Sequence, residues 1–257
     1  MVNYHNFSGW QGKELESVGR GNHPVLHASR DDMQICIITC WPNCIIMKNS
    51  LIPERDYKRI FNTIYSVLLS EDAKINKSCV YFSVIGSLIL QTHYNINAKV
   101  YMGIATYMLE ETNELVLAFA ENNGEQLVCS ENGFHSWIIA NNWVIDFTSP
   151  LFPKMINERN KTFSCKSKMF QKSIDSMCCS ADKLKVNGDF FLYNDPNYTK
   201  EMMDYYTNHI FNIDIANICC QWYRRPPLNM KKAIPISNAV GKIKKVPLKS
   251  FQVTGSW

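Results

Sequence analysis

Nowhere in this sequence do about 18 uncharged apolar residues follow one another, so no membrane-spanning helix is expected. The opening stretch, "MVNYHNFSGWQGKELESVGRGNHP", lacks the apolar centre of a secretory leader. No internal repeat and no low-complexity tract interrupts the chain. The ten cysteines (36, 40, 44, 79, 129, 165, 178, 179, 219 and 220) include no C-x2-C pair of the kind a structural zinc site prefers. They are scattered through mostly apolar contexts, which suits reduced thiols in a cytoplasmic protein better than a disulfide framework. His23 and His27 precede Cys36, Cys40 and Cys44 at the same interval, which permits a metal cluster on paper. The spacing is not that of a zinc site, and neither a metal nor a cofactor is expected.

Acidic residues are missing from one region. Between Arg224 and Lys249 there are eight basic residues and no acidic one, although the whole chain carries only +4. A basic segment of this kind meets nucleic acid or an acidic partner, or packs as a solvated tail along the domain. Aromatic residues are too sparse there for a nucleic-acid platform, so the packed tail is favoured over nucleic-acid contact.

What is present is a large stock of core residues. With 46% hydrophobic and 12% aromatic residues in 257, the chain can bury a substantial core, which excludes wholesale disorder. Residues 1–30 show no period and are expected as an irregular arm. "MQICIITCWPNCIIM" (33–47) reads as strand, turn and strand. Tyr57, Ile60, Phe61, Ile64, Tyr65 and Leu68 recur at helical spacing and predict an amphipathic helix over 54–70. Ser78 is a plausible N-cap for a second helix from Cys79 to Gln91, apolar nearly all round and therefore central. Gly86 inside it costs about 1 kcal/mol relative to Ala, which implies a close neighbour on that face.

Strand-like runs follow at 98–109, 114–120, 134–140 and 143–148, with Asn141-Asn142 as a two-residue hairpin turn. Farther on, Asn187-Gly188 signals another hairpin, residues 200–211 look helical, and two prolines close "NICCQWYRRPP". Helix, central helix and antiparallel meander make an α+β domain. The expected division is an arm (1–30), a core (31–165) and a C-terminal elaboration of the same domain with its basic tail (166–257).

The hairpin fixes a register. If residues 141 and 142 are the turn, Ala140 faces Trp143, Trp137 faces Asp146, and His135 faces Thr148. Alternation then puts His135, Trp137 and Ile139 on one face with Asp146, which sits diagonal to His135. A carboxylate at that distance can orient an imidazole, and an oriented imidazole can take a proton from a thiol. Cys79, at a helix N-terminus, has its thiolate favoured by the unpaired amides there. A lone buried cysteine behaves as a small hydrophobe; it is this convergence that separates Cys79 from the other nine.

A cysteine opening a central helix, followed by strands carrying "HSW" and "VIDFT", resembles the transglutaminase-like core of the papain-fold superfamily. The resemblance covers residues 55–150. Arylamine acetyltransferases and several bacterial and phage-borne proteins share that core. It implies a central helix packed on an antiparallel sheet, with Cys79 as nucleophile, His135 as base and Asp146 as its orienter. Papain-type enzymes usually place a glutamine several residues before the cysteine to hold the oxyanion. This chain has Asn76 instead, at a different spacing, and the Cys79 amide is the other candidate donor. Trp137 is expected near the site as a wall of the substrate cleft.

The function expected from these residues is a cysteine hydrolase, a peptidase or amidase acting on a protein or peptide through an acyl-enzyme. A transglutaminase, deamidase or acyltransferase would use the same triad. An inactive papain-like binding or regulatory protein, or a phage- or defence-related effector, stands as the non-enzymatic alternative. The C-terminal region is a candidate surface for a protein partner.

Overall fold

The computed structural model describes residues 3–4, 50–112, 114–123, 126–159, 165–238 and 241–257. All of these fall in one compact unit. Most of the arm expected over 1–30, the strand–turn–strand expected over 33–47, and the His23, His27, Cys36, Cys40 and Cys44 group lie outside the described residues.

Helix α1 (Glu54–Ser70) follows Pro53 and carries Glu54 and Asp56 in its first turn, where acidic side chains favour a helix start. It buries Tyr57, Ile60, Phe61, Ile64 and Leu68 of the predicted face together with Val67, while Tyr65 is only half-buried. Helix α2 (Cys79–Tyr94) is the core helix, buried on almost every side. It runs three residues beyond the predicted Gln91 and stops at Asn95, which takes a left-handed conformation at φ 54°. Asn reaches that region at lower cost than most residues, so it serves as a helix stop. Ser78 occupies the N-cap position, but its hydroxyl donates to the Lys74 carbonyl (3.0 Å) instead of capping the helix.

The main sheet is antiparallel. Its path runs β3 (Leu115–Phe119), β2 (Ala98–Glu110), β6 (His135–Ala140), β7 (Trp143–Asp146) and β8 (Phe170–Ser173), and β9 (Phe190–Asn194) also pairs with β2. Strand β2 holds β6 along Ala98–Gly103, β9 along Gly103–Tyr107 and β3 from Ala105 onward. Gly103, where one partner gives way to the next, faces both His135 and Asn194. A Cβ there would lie 2.1 Å from the Tyr193 carbonyl oxygen, so no larger residue fits. A small ribbon pairs β4 (Glu121–Asn122) with β5 (Leu127–Val128), and a three-stranded sheet joins β1 (Asn3–Tyr4), β10 (Ala233–Asn238) and β11 (Ile243–Pro247).

The α+β class therefore holds, with the antiparallel sheet expected from the alternating runs. The segment after residue 165 contributes β8 and β9 to that same sheet. Two local expectations are corrected. Asn187-Gly188 makes no hairpin: Asn187 Oδ1 accepts from the Glu111 amide (2.9 Å), and the chain continues into β9, whose partner is β2. The helix expected over 200–211 is two helices, α4 (Pro196–Asn208) and α5 (Ile210–Trp222), divided at His209. Helix α5 packs on α1 and α2, and α3 (Phe152–Arg159) follows the hairpin of β6 and β7. Among the described residues, no helix is long and apolar enough to cross a membrane.

Candidate active site

The turn between β6 and β7 is the one that the Asn-Asn pair predicts. Both asparagines take positive φ, 47° and 65°, as a hairpin with right-twisted strands demands. The pairs Ala140–Trp143, Ile139–Val144 and Ile138–Ile145 follow the derived register. His135 Nε2 and Asp146 Oδ2 are 2.7 Å apart, with both side chains fully buried. A charged group in such a place must be saturated with hydrogen bonds. Asp146 Oδ2 also accepts from the Tyr107 hydroxyl (2.9 Å), and Oδ1 accepts from the Thr148 amide (2.8 Å). The Tyr57 hydroxyl donates to the Asp146 backbone carbonyl and lies 3.0 Å from Ser149 Oγ, which ties the hairpin end to α1.

Aromatic rings hold the imidazole in place. Phe119 stacks on it with centroids 4.1 Å apart and planes 20° apart, and Tyr107 meets it edge-on at 5.9 Å. Cys79 stands at the first position of α2 and is 8% exposed. It is near enough to the His135 ring to raise the pKa of that imidazole. His135 Nδ1, the nitrogen turned away from Asp146, has no hydrogen-bond partner. Burial by itself pushes the His135 pKa down; the Asp146 carboxylate, and then the Cys79 thiol, outweigh it and raise the value to about 9. Burial and the neighbouring Asp146 charge push Tyr107 well above the ordinary phenol range, so its hydroxyl remains a donor.

The structure thus brings together Cys79, His135 and Asp146, the three residues singled out from the sequence. Trp137 is different. It is 1% exposed and part of the core, so it offers no wall to a cleft. Asn76 lies in the 3-10 turn Ile75–Lys77 just before α2, and its side chain is outside the described residues. Sequence reasoning passed over Tyr107, Tyr57, Phe119 and Thr148. Tyr107 was within reach: Gly103 faces His135, so alternation along β2 puts Tyr107 on the imidazole side, but only once the pairing of β2 with β6 is known. Tyr198 was also missed. Its ring meets Phe134 at 5.0 Å, and the charges of Cys129, Glu131 and Cys79, after burial, raise its pKa.

Among the described residues, no three His, Cys, Asp or Glu side chains are grouped to hold a metal ion. The open concavity between α1 and residues Met230 and Leu248 shares no residue with the cluster around His135.

These features define an α+β protein with a buried cysteine–histidine–aspartate constellation at the junction of its core helix and sheet. The chain belongs to the family described as "Protein of unknown function (DUF2026)", whose model matches residues 53–257. It is also similar to a solved crystal structure named only as a genomics target. The two share 32% identity over 82% of this chain and 100% of that one, with a TM-score of 0.74. No curated protein matches it.

Proposed function

We propose that this chain is a cysteine-dependent hydrolase, a peptidase or amidase, with Cys79 as nucleophile, His135 as general base and acid, and Asp146 as the group that orients the imidazole. One observation carries this proposal: a fully buried imidazole has a carboxylate 2.7 Å from one nitrogen and the Cys79 thiol acting on the ring as well. An imidazolium beside a sulfur favours the thiolate. The thiolate would add to a substrate carbonyl, forming the C–S bond, and the tetrahedral oxyanion would collapse as the C–N bond breaks. The leaving amine takes its proton from His135. Water then attacks the thioester, gives a proton to His135, and the carboxylic acid departs as Cys79 is restored. The Cys79 amide at the N-terminus of α2 is the first candidate for the oxyanion donor, and Asn76 is the second.

The resemblance to the transglutaminase-like core of the papain-fold superfamily supports the same assignment, and the substrate proposed with it is a protein or peptide. Burial favours a second version. With His135 wholly buried and Cys79 nearly so, bulk water is kept from the thioester, and an amine acceptor would make the protein a transferase.

The test is selective alkylation. Iodoacetamide at neutral pH, mapped by mass spectrometry, should modify Cys79 well ahead of the other nine cysteines, and Cys79→Ala should abolish turnover of peptide and amide substrates. Incorporation of a labelled amine into a protein substrate would distinguish transfer from hydrolysis. Uniform slow alkylation would leave a binding or regulatory protein, or an effector, in place of an enzyme.

A further inference from the structure

Asp146 does not serve His135 alone. Its Oδ2 accepts two hydrogen bonds, from His135 Nε2 at 2.7 Å and from the Tyr107 hydroxyl at 2.9 Å. We infer that Tyr107 is a positioning residue of this site, which shares the Asp146 oxygen with the imidazole and limits how much of the carboxylate charge reaches it. This rests on the assignment of Cys79, His135 and Asp146 made above, and adds a fourth member with a distinct task.

The geometry makes the sharing obligatory. Tyr107 is fully buried, and its ring is wedged between Phe152 (4.9 Å) and Phe170 (5.0 Å) while also meeting His135 edge-on. The hydroxyl therefore has little freedom to leave the carboxylate. Oδ1 is occupied by the Thr148 amide, so Oδ2 cannot be exchanged for its twin by rotation without breaking that bond. The groups facing the imidazole and its carboxylate are Cys79 from α2, Tyr107 from β2, Tyr57 from α1 through the Asp146 carbonyl, and Phe119 and Phe152, which carry no charge. Of these, Tyr107 is the one that donates to the same oxygen as the ring.

The chemical consequence follows from charge. A carboxylate that holds an imidazolium too strongly makes it a poor acid, and His135 must give its proton to a leaving amine. Each donor on Oδ2 draws off part of that charge. Tyr107 therefore keeps the ring able to release its proton while still held in one orientation.

The experiment is an NMR titration of His135 in the full chain labelled at histidine, wild type against Tyr107→Phe, each with Cys79 intact and as Cys79→Ala. With the hydroxyl gone, His135 should hold its proton to higher pH, an upward shift of roughly 0.5–1 unit. The alkaline limb of Cys79 alkylation should move with it. An unchanged His135 titration in folded Tyr107→Phe would overturn the inference. If that variant does not fold, difluorotyrosine placed at 107, a stronger donor of nearly the same shape, must shift His135 downward; no shift there is equally fatal. A ring that responds to Tyr107 while Cys79 alkylates no faster than other thiols would retain the role of Tyr107 and remove the hydrolase.

Discussion

Replacing Gly86 with alanine tests how tightly the core helix is seated on the hairpin that carries His135 and Asp146. On an open helix the change would stabilise by about 1 kcal/mol, because alanine loses less backbone freedom. Here the added Cβ would stand 2.4 Å from Phe147 Cδ2, 2.7 Å from its Cε2 and 3.2 Å from Ile138 Cδ1. Carbon atoms in contact need about 3.5–4.0 Å, so the ring or the helix must move by about 1 Å. Phe147 cannot swing away, since it is fully buried and its ring lies 4.8 Å from that of Tyr57. Overpacking costs about 1–3 kcal/mol, and this rigid wall puts the figure at the upper end. The net expectation is a loss of about 2 kcal/mol, or about 4–8 °C in Tm for a chain of this size. Differential scanning calorimetry reads the shift. Phe147 adjoins Asp146 in the chain, so alkylation of Cys79 should slow as well. A Gly86→Ala protein as stable as wild type would show that α2 does not press on the hairpin, and the geometry derived for Cys79 would lose its support.

Three further outcomes follow from the same contacts. His135 keeps its proton up to about 9, against 6.5 for an ordinary histidine, so the stability this gives is complete below pH about 6.5 and lost as pH rises through about 9. The difference in unfolding free energy between wild type and Asp146→Asn should therefore be largest near pH 6 and shrink toward pH 9.5, as urea titrations at each pH would record; a gap that widens with pH would contradict the assignment. Tyr57→Phe leaves the Asp146 carbonyl without its side-chain donor and should cost about 1–3 kcal/mol by the same measurement. Asn142→Ala leaves at φ 65° a residue without the short polar side chain that eases the left-handed region, and removes the 2.7 Å bond from Asn142 Nδ2 to Asp175, for an expected loss of about 1–2 kcal/mol.

Two asparagines made the hairpin legible. Because a two-residue turn leaves no freedom in pairing, the relation of His135 to Asp146 could be derived without any knowledge of the rest of the sheet. Helix α1 was legible for a similar reason, since its apolar face repeats at one period from Tyr57 to Leu68. Other parts depend on pairings between distant segments. Strand β9 reaches β2 from some 85 residues away, and nothing local to Phe190–Asn194 says so. The Tyr107 hydroxyl and the Phe119 stack depend on such pairings as well. Trp137 shows the converse error: alternation placed it correctly beside His135, but alternation does not tell which neighbours cover a face, and here they bury it. The 200–211 stretch misled because helical composition continues through His209, where the chain turns while the pattern does not.

Stability and chemistry should separate within the three residues themselves. Asp146 receives His135, Tyr107 and the Thr148 amide, so Asp146→Ala strands three buried donors at once. Breaking a buried network of this kind costs about 3–5 kcal/mol, a large share of the 5–15 kcal/mol typical of folded domains. Cys79 opens a helix, is 8% exposed, and leaves His135 Nδ1 without a hydrogen bond. Cys79→Ala removes one sulfur from a nearly buried position, with no hydrogen bond to strand, and should cost about 1 kcal/mol. Urea unfolding of the two variants side by side decides the matter. If Cys79→Ala proves as damaging as Asp146→Ala, the sulfur is packing material, and the polar pair beside it is holding the fold together instead of preparing a nucleophile.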